Sequence, residues 1–239
     1  MALSDFILTS NETALELDDM HLSEENKAAL KQLLKEFKHI QILNQYQLPV
    51  DNKVFLFGHT GCGKTTTAKA IAKALDKKII VLNLGNIVSS RLGETSKNIS
   101  DVFNKAIREK AVLFLDEFDS IGKHRDHDDK DSAEMKRLVN TVIQLIDELP
   151  NDTLLVAATN HSKVIDTALL RRFQLRLKFE LPTRQQLDHY YDTLLNKFPL
   201  EFRNIDRVYN ISYAEAKDIT HRFIKNAIIA NEELKIGPK

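Results

Sequence analysis

Gly58-His59-Thr60-Gly61-Cys62-Gly63-Lys64-Thr65 decides the reading of this chain. It fits G-x-x-x-x-G-K-[ST], a loop whose glycines let the backbone wrap a phosphate with its N–H groups pointing inward. The flanking sequence supplies the right context. Val54-Phe55-Leu56-Phe57 predicts a buried strand before the loop. Thr66 to Leu75 predicts a helix after it, with Ala68, Ile71, Ala72 and Leu75 on one face. That helix adds its N-terminal partial positive charge. In such a loop Lys64 reaches the β- and γ-phosphates of a nucleotide, and the Thr65 hydroxyl ligates Mg²⁺.

Working outward, strands and helices alternate. Ile79–Leu82, Ala111–Leu115 and Leu154–Ala158 read as further buried strands, and Leu175, Leu177 and Phe179 mark a fifth. Residues 83–95 read as a loop. Ser96 is expected to cap a helix burying Ile99, Val102, Phe103 and Ala106. A polar loop from Gly122 to Asp131 precedes a long helix begun by Ser132, with Met135, Leu138, Val139, Val142, Leu145, Ile146 and Leu149 inward. Upstream, residues 1 to about 20 show no clean period and read as an irregular arm. Ser23 caps a helix in which Leu30, Leu33, Leu34, Phe37 and Ile40 recur at helical spacing. After Pro182 the pattern is helical only. Ser212-Tyr213-Ala214-Glu215 is a capping box for a helix expected to bury Ala216, Ile219, Phe223 and Ala227. The division expected is an arm and helix over 1–47, a nucleotide-binding α/β domain over 48–182 and a helical lid over 183–239.

Alternation of this kind implies right-handed crossovers and a parallel sheet covered on both faces, with ligands beyond the carboxyl ends of the strands. Gly58, Asp116, Glu117 and Asn160 all follow strand ends. One carboxylate at such a place can hold Mg²⁺, and a second can polarise an attacking water. Lys+Arg and Asp+Glu both number 34, so broad electrostatic binding to nucleic acid is not expected. No apolar run approaches a membrane span, and no signal peptide is apparent. The single cysteine, Cys62, excludes a disulfide framework and favours a cytoplasmic setting.

The run of motifs resembles the AAA+ ATPases, and within them the AAA clade proper, over roughly Leu48 to Ala230. The resemblance rests on the phosphate loop and on Leu113-Phe114-Leu115-Asp116-Glu117-Phe118-Asp119-Ser120-Ile121. It rests further on Ala157-Ala158-Thr159-Asn160 and on Ile165-Asp166-Thr167-Ala168-Leu169-Leu170-Arg171-Arg172-Phe173, which looks like the clade's second region of homology. It implies an α/β fold with a five-stranded parallel sheet covered by helices on both faces, followed by a small all-helical lid. It implies ATP held by Gly58, His59, Thr60, Gly61, Cys62, Gly63, Lys64, Thr65 and Thr66, and Mg²⁺ supported by Thr65 and Asp116. By the same resemblance Glu117 is the base, Asn160 orients the lytic water, and Arg171 and Arg172 enter a neighbouring subunit's site. A finger given in trans implies a ring, usually a hexamer.

Two departures bear on what such a ring does. Ser90-Arg91-Leu92-Gly93-Glu94 matches the first pore loop, with Arg91 where a gripping aromatic is usual. No sensor-2 arginine stands near Ser212-Tyr213-Ala214-Glu215. His124, Asp126, His127, Asp128 and Asp129 match a second pore loop and read as solvated, and Arg137 is a further intersubunit candidate. The expected function is ATP-driven remodelling of a separately encoded protein. The alternatives are an assembly switch that loads an effector without threading, a nucleic-acid loader, and a scaffold with a dead site.

Overall fold

A computed structural model of the chain describes residues 7–9, 15–88, 92–121 and 130–236. Pore-loop positions Ser90 and Arg91, and the acidic–histidine run at 124–129, lie outside these residues. The described chain forms two compact units. The first holds the residues up to Gly58 together with Lys64–Lys178; the second holds His59–Gly63 and Phe179–Lys239.

The first unit is built on a sheet of order β1-β3-β4-β5-β2-β6. The strands are β1 (Ile7–Thr9), β2 (Lys53–Gly58), β3 (Ile79–Asn83), β4 (Val112–Asp116), β5 (Leu154–Thr159) and β6 (Leu175–Phe179). Five strands, β2 to β6, make the expected parallel sheet. The register pairs Phe57 with Thr159, Asn83 with Asp116 and Leu115 with Ala157, so the strands end together. β1 is an addition: it runs antiparallel along β3, pairing Leu8 with Val81, where the sequence reads as an irregular arm. Three residues are too few for any period to register.

Around the sheet lie α1 (Glu24–Lys38), α2 (Ile40–Gln45), α3 (Lys64–Ala74), α4 (Leu84–Val88), α5 (Leu92–Glu109), α6 (Lys130–Asp147) and α7 (Thr167–Leu170). Ser23 caps α1 as expected, accepting from the Asn26 amide. Ile40 does not continue α1: the chain breaks at His39 and starts α2. One face of the sheet (Phe55, Ile80, Leu82, Leu113, Leu115, Leu155, Ala157) packs with Ile99, Val102, Phe103 and Ala106 of α5. Met135, Leu138, Val139, Val142 and Ile146 of α6 join that cluster. The alternate residues Val54, Leu56, Val112, Phe114, Leu154 and Val156 are buried too, as are Ala68, Ile71 and Ala72 of α3. Strands covered on both sides read as unbroken apolar runs for this reason. Each fully buried Leu, Ile or Phe here contributes roughly 1.5–3 kcal/mol relative to exposure.

The expected loop over 83–95 is corrected. Asn83 Oδ1 accepts from the Asn86 amide at 3.1 Å, capping α4, and α5 already begins at Leu92. Ser96 therefore lies inside α5, where its carbonyl accepts from the Ser100 hydroxyl.

The second unit carries α8 (Arg184–Leu195) and α9 (Tyr213–Ile236). Capping boxes start both: Thr183 with Gln186, and Ser212 with Glu215. Leu187, Tyr191, Leu195, Ala216 and Ile224 form its core. The expected inward face of α9 is corrected here. Phe223 is 38% exposed, while Thr220 and Ile224 are 0% and 1% exposed. Thr220 is buried because its hydroxyl donates to the Ala216 carbonyl at 2.8 Å. A polar residue on the buried seam hides that seam from a hydrophobic-period reading.

Candidate active site

Three strand ends and one helix start converge in the first unit. β2 delivers Gly58, whose φ of 129° is open only to glycine. α3 begins at Lys64, and the buried Lys64 ammonium turns back to donate to the Gly58 carbonyl at 2.9 Å. The next residue, Thr65, donates its hydroxyl to Asp116 Oδ2 at 3.4 Å. Asp116 closes β4, and its Oδ1 accepts the Glu117 amide at 2.9 Å. Burial pushes the Asp116 carboxyl up from the ordinary carboxylate range. Its hydrogen bonds to Glu117 and Thr65 and the nearby Lys64 charge pull it back, while the neighbouring Glu117 charge adds to the rise.

Such a desolvated carboxylate beside a threonine hydroxyl is a hard oxygen donor pair, the donor type Mg²⁺ takes. Thr65 and Asp116 fit that ion, and a divalent charge would offset the burial that now disfavours the ionised carboxylate. Glu117 adopts φ 52° and is exposed. A left-handed turn directly after the strand thus carries the Glu117 carboxylate. That carboxylate lies against α4: a Cβ built on Gly85 would stand 2.0 Å from Glu117 Oε2.

Asn160 follows β5 and is exposed. Since Phe57 pairs with Thr159, Asn160 stands one residue beyond that pair, level with Gly58. The turn that carries it is fixed by a group the sequence reading did not single out. The Thr159 hydroxyl donates to Asp119 at 2.8 Å and accepts the His161 amide at 2.9 Å. Asp119, only 4% exposed, thereby ties the turn after β4 to the end of β5. An aspartate inside an acidic stretch carries no sequence signal that would mark it as the buried one.

The middle of the phosphate loop belongs to the second unit. His59 and Thr60 are exposed, and the His59 amide donates to the Phe179 carbonyl at 2.9 Å. Gly61 has φ 71° and its carbonyl accepts the Ala214 amide at 3.1 Å. A Cβ at Gly61 would stand 2.5 Å from Ser212 Oγ, so glycine is required there. Cys62 is buried and unpaired to any other cysteine, and Gly63 has φ 98°. Tyr213, which opens α9, has its hydroxyl pushed up to about 12, chiefly by burial.

Arg171 and Arg172 stand apart from these groups. They follow α7, which Asp166 caps by accepting the Ala168 amide. Leu169 and Phe173 are buried on either side of the pair. Phe173 packs against Phe55 and Phe118, with ring centroids 5.3 and 5.6 Å away. Arg172 donates to Asp147 and to the Ala168 carbonyl, not to the phosphate loop. Thr66 lies in the first turn of α3, half-buried, and Arg137 is exposed on α6.

Comparison with known proteins supplies the family. The profile described as "ATPase family associated with various cellular activities (AAA)" matches residues 54–181, more than half of the chain. The chain belongs to the AAA ATPase family. Among relatives of this AAA chain is an uncharacterized AAA family ATPase, y4kL, of Sinorhizobium fredii, 34% identical over 89% of this chain and 65% of that protein. The peroxisomal ATPase pex1 of Schizosaccharomyces pombe is 32% identical over 74% of this chain and 19% of its own length. The chain thus spans about two thirds of the first relative and about a fifth of the second. In structure it resembles the crystal structure of the FIGL-1 AAA domain, with a TM-score of 0.66 and 25% identity over 80% of this chain and 63% of that one. No helix among the described residues is long and apolar enough to cross a membrane.

Proposed function

We propose that this AAA chain hydrolyses ATP with Mg²⁺ in a ring of its own copies, the hexamer its resemblance implies, and uses the cycle to remodel a partner protein. The observation that carries the reading is the Thr65–Asp116 contact beside a Lys64 that closes on Gly58. In this reading the loop amides and Lys64 bind the β- and γ-phosphates, while Thr65 and Asp116 hold the metal, which supplies charge neutralisation at the phosphates. Glu117 takes the proton of the attacking water. Asn160 orients that water, and an arginine of the Arg171–Arg172 turn meets developing phosphoryl charge in a neighbouring copy. Arg91 in place of an aromatic favours a second reading, a ring that activates an effector without threading it. A single cysteine, Cys62, leaves no disulfide framework, which supports a cytoplasmic setting in this reading.

Glu117→Gln tests the core of the proposal. It keeps the phosphate and metal contacts and removes the base, so ATP binding should persist while turnover falls by roughly 10²–10⁴. Wild-type turnover in that variant means the base lies elsewhere. The same ATP-locked variant, purified from cells, should hold its partner. Release of an unfolded partner on restored hydrolysis supports remodelling, whereas release of a folded, activated one supports the switch.

A further inference from the structure

The adjacent arginines differ in their surroundings. Arg172 engages all three guanidinium nitrogens inside its own chain. Nε and Nη2 donate to the two Asp147 carboxylate oxygens, each at 3.3 Å, and Nη1 donates to the Ala168 carbonyl at 2.7 Å. Asp147 is the last residue of α6. Such a two-point arrangement fixes orientation as well as distance. The rest of the α7 C-terminus is closed in the same way. The Arg171 amide donates to Thr167 O, the Arg172 amide to Leu169 O, and Arg176 Nη2 to Leu170 O at 2.6 Å. Together with Arg172 Nη1 on Ala168, all four carbonyls of the helix are taken. Arg171 is exposed, and its side chain makes no hydrogen bond or ion pair among the described residues.

We infer that the pair divides its labour: Arg171 is the cation presented to a neighbouring copy's phosphate, and Arg172 with Asp147 is a positioning clamp that aims it. The inference rests on the trans-site reading above. Arg172 cannot reach outward without surrendering three hydrogen bonds and leaving the Ala168 carbonyl unpaired. Arg171, one residue away on a turn pinned by Leu169 and Phe173, can move into a partner at no such cost. Asp147 becomes a positioning residue at a place where no motif marks it.

The test is steady-state ATPase on assembled protein, with nucleotide affinity and thermal unfolding measured beside it. Arg171→Ala should lose kcat by roughly 10³ or more, with ATP affinity and melting midpoint kept. Arg172→Ala and Asp147→Ala should each lose kcat by roughly 10- to 100-fold, the range a misaimed group costs. The double variant should be no worse than Arg172→Ala alone, because Asp147 acts on the turn through Arg172. If Arg172→Ala fails to fold, Asp147→Ala and Asp147→Asn carry the test, with Asp147→Asn the milder because it keeps one acceptor oxygen. Wild-type turnover in Asp147→Ala with a dead Arg172→Ala overturns the division of labour and leaves the trans site standing. Wild-type turnover in all the variants, Arg171→Ala included, removes the trans site itself.

Discussion

Asp116 is held at a cost to the unliganded fold, and the cost has a sign. Its carboxyl is raised in the folded state, chiefly by burial, so the folded chain binds that proton more tightly than the unfolded one. Stability from this group is therefore present at low pH and declines as pH rises through its raised pKa. Asp116→Asn should raise the melting midpoint of the unliganded protein at pH 8. The gain should shrink as pH falls through the raised pKa of Asp116, where the carboxyl takes up its proton, and the variant should lose stabilisation by Mg²⁺-nucleotide. An unchanged or lower midpoint at pH 8 would contradict the assignment. Cys62, by contrast, is a buried residue whose thiol the proposed reaction does not use, so Cys62→Ser should keep turnover.

At the scale of elements, α9 separates what the sequence discloses from what it conceals. Its start was legible because Ser212 and Glu215 are chemically specific, and both reciprocal bonds form. Its buried face was not, because the seam runs Ala216, Thr220, Ile224 and the threonine interrupts the apolar count. Ile224→Ala should cost about 2–5 kcal/mol by cavity formation, and Phe223→Ala far less, as read by denaturant midpoints. Equal losses would restore the rejected face. The same distinction runs through the site. Lys64, Thr65, Asp116 and Glu117 were readable because a loop and a strand end fix them by spacing. Asp119 and Asp147 were not, since their partners Thr159 and Arg172 are 40 and 25 residues away in the chain. β1 and α4 fell below the length at which periodicity speaks at all.

For the whole molecule, the proposed completion of the site by a neighbour would make activity a property of assembly. Turnover per mole should rise steeply with protein concentration and level off once rings form. Concentration-independent turnover by a demonstrably monomeric sample would end the ring proposal. Mixing Arg171→Ala with Glu117→Gln subunits should return part of the lost activity, since some interfaces then join an intact base to an intact arginine. The sheet order also has a consequence for how the protein is made. β2, which carries the phosphate loop, neighbours only β5 and β6, both encoded downstream. Leu154 follows Gly58 by 96 residues (154 − 58). At roughly 5–20 residues per second, a nascent chain holds Val54-Phe55-Leu56-Phe57 without its strand partner for about 5–20 s. During translation the strand that leads into the proposed phosphate loop is an unpaired, wholly apolar segment. Ribosomes stalled before residue 154 should bear chains that engage chaperones and cannot yet hold nucleotide.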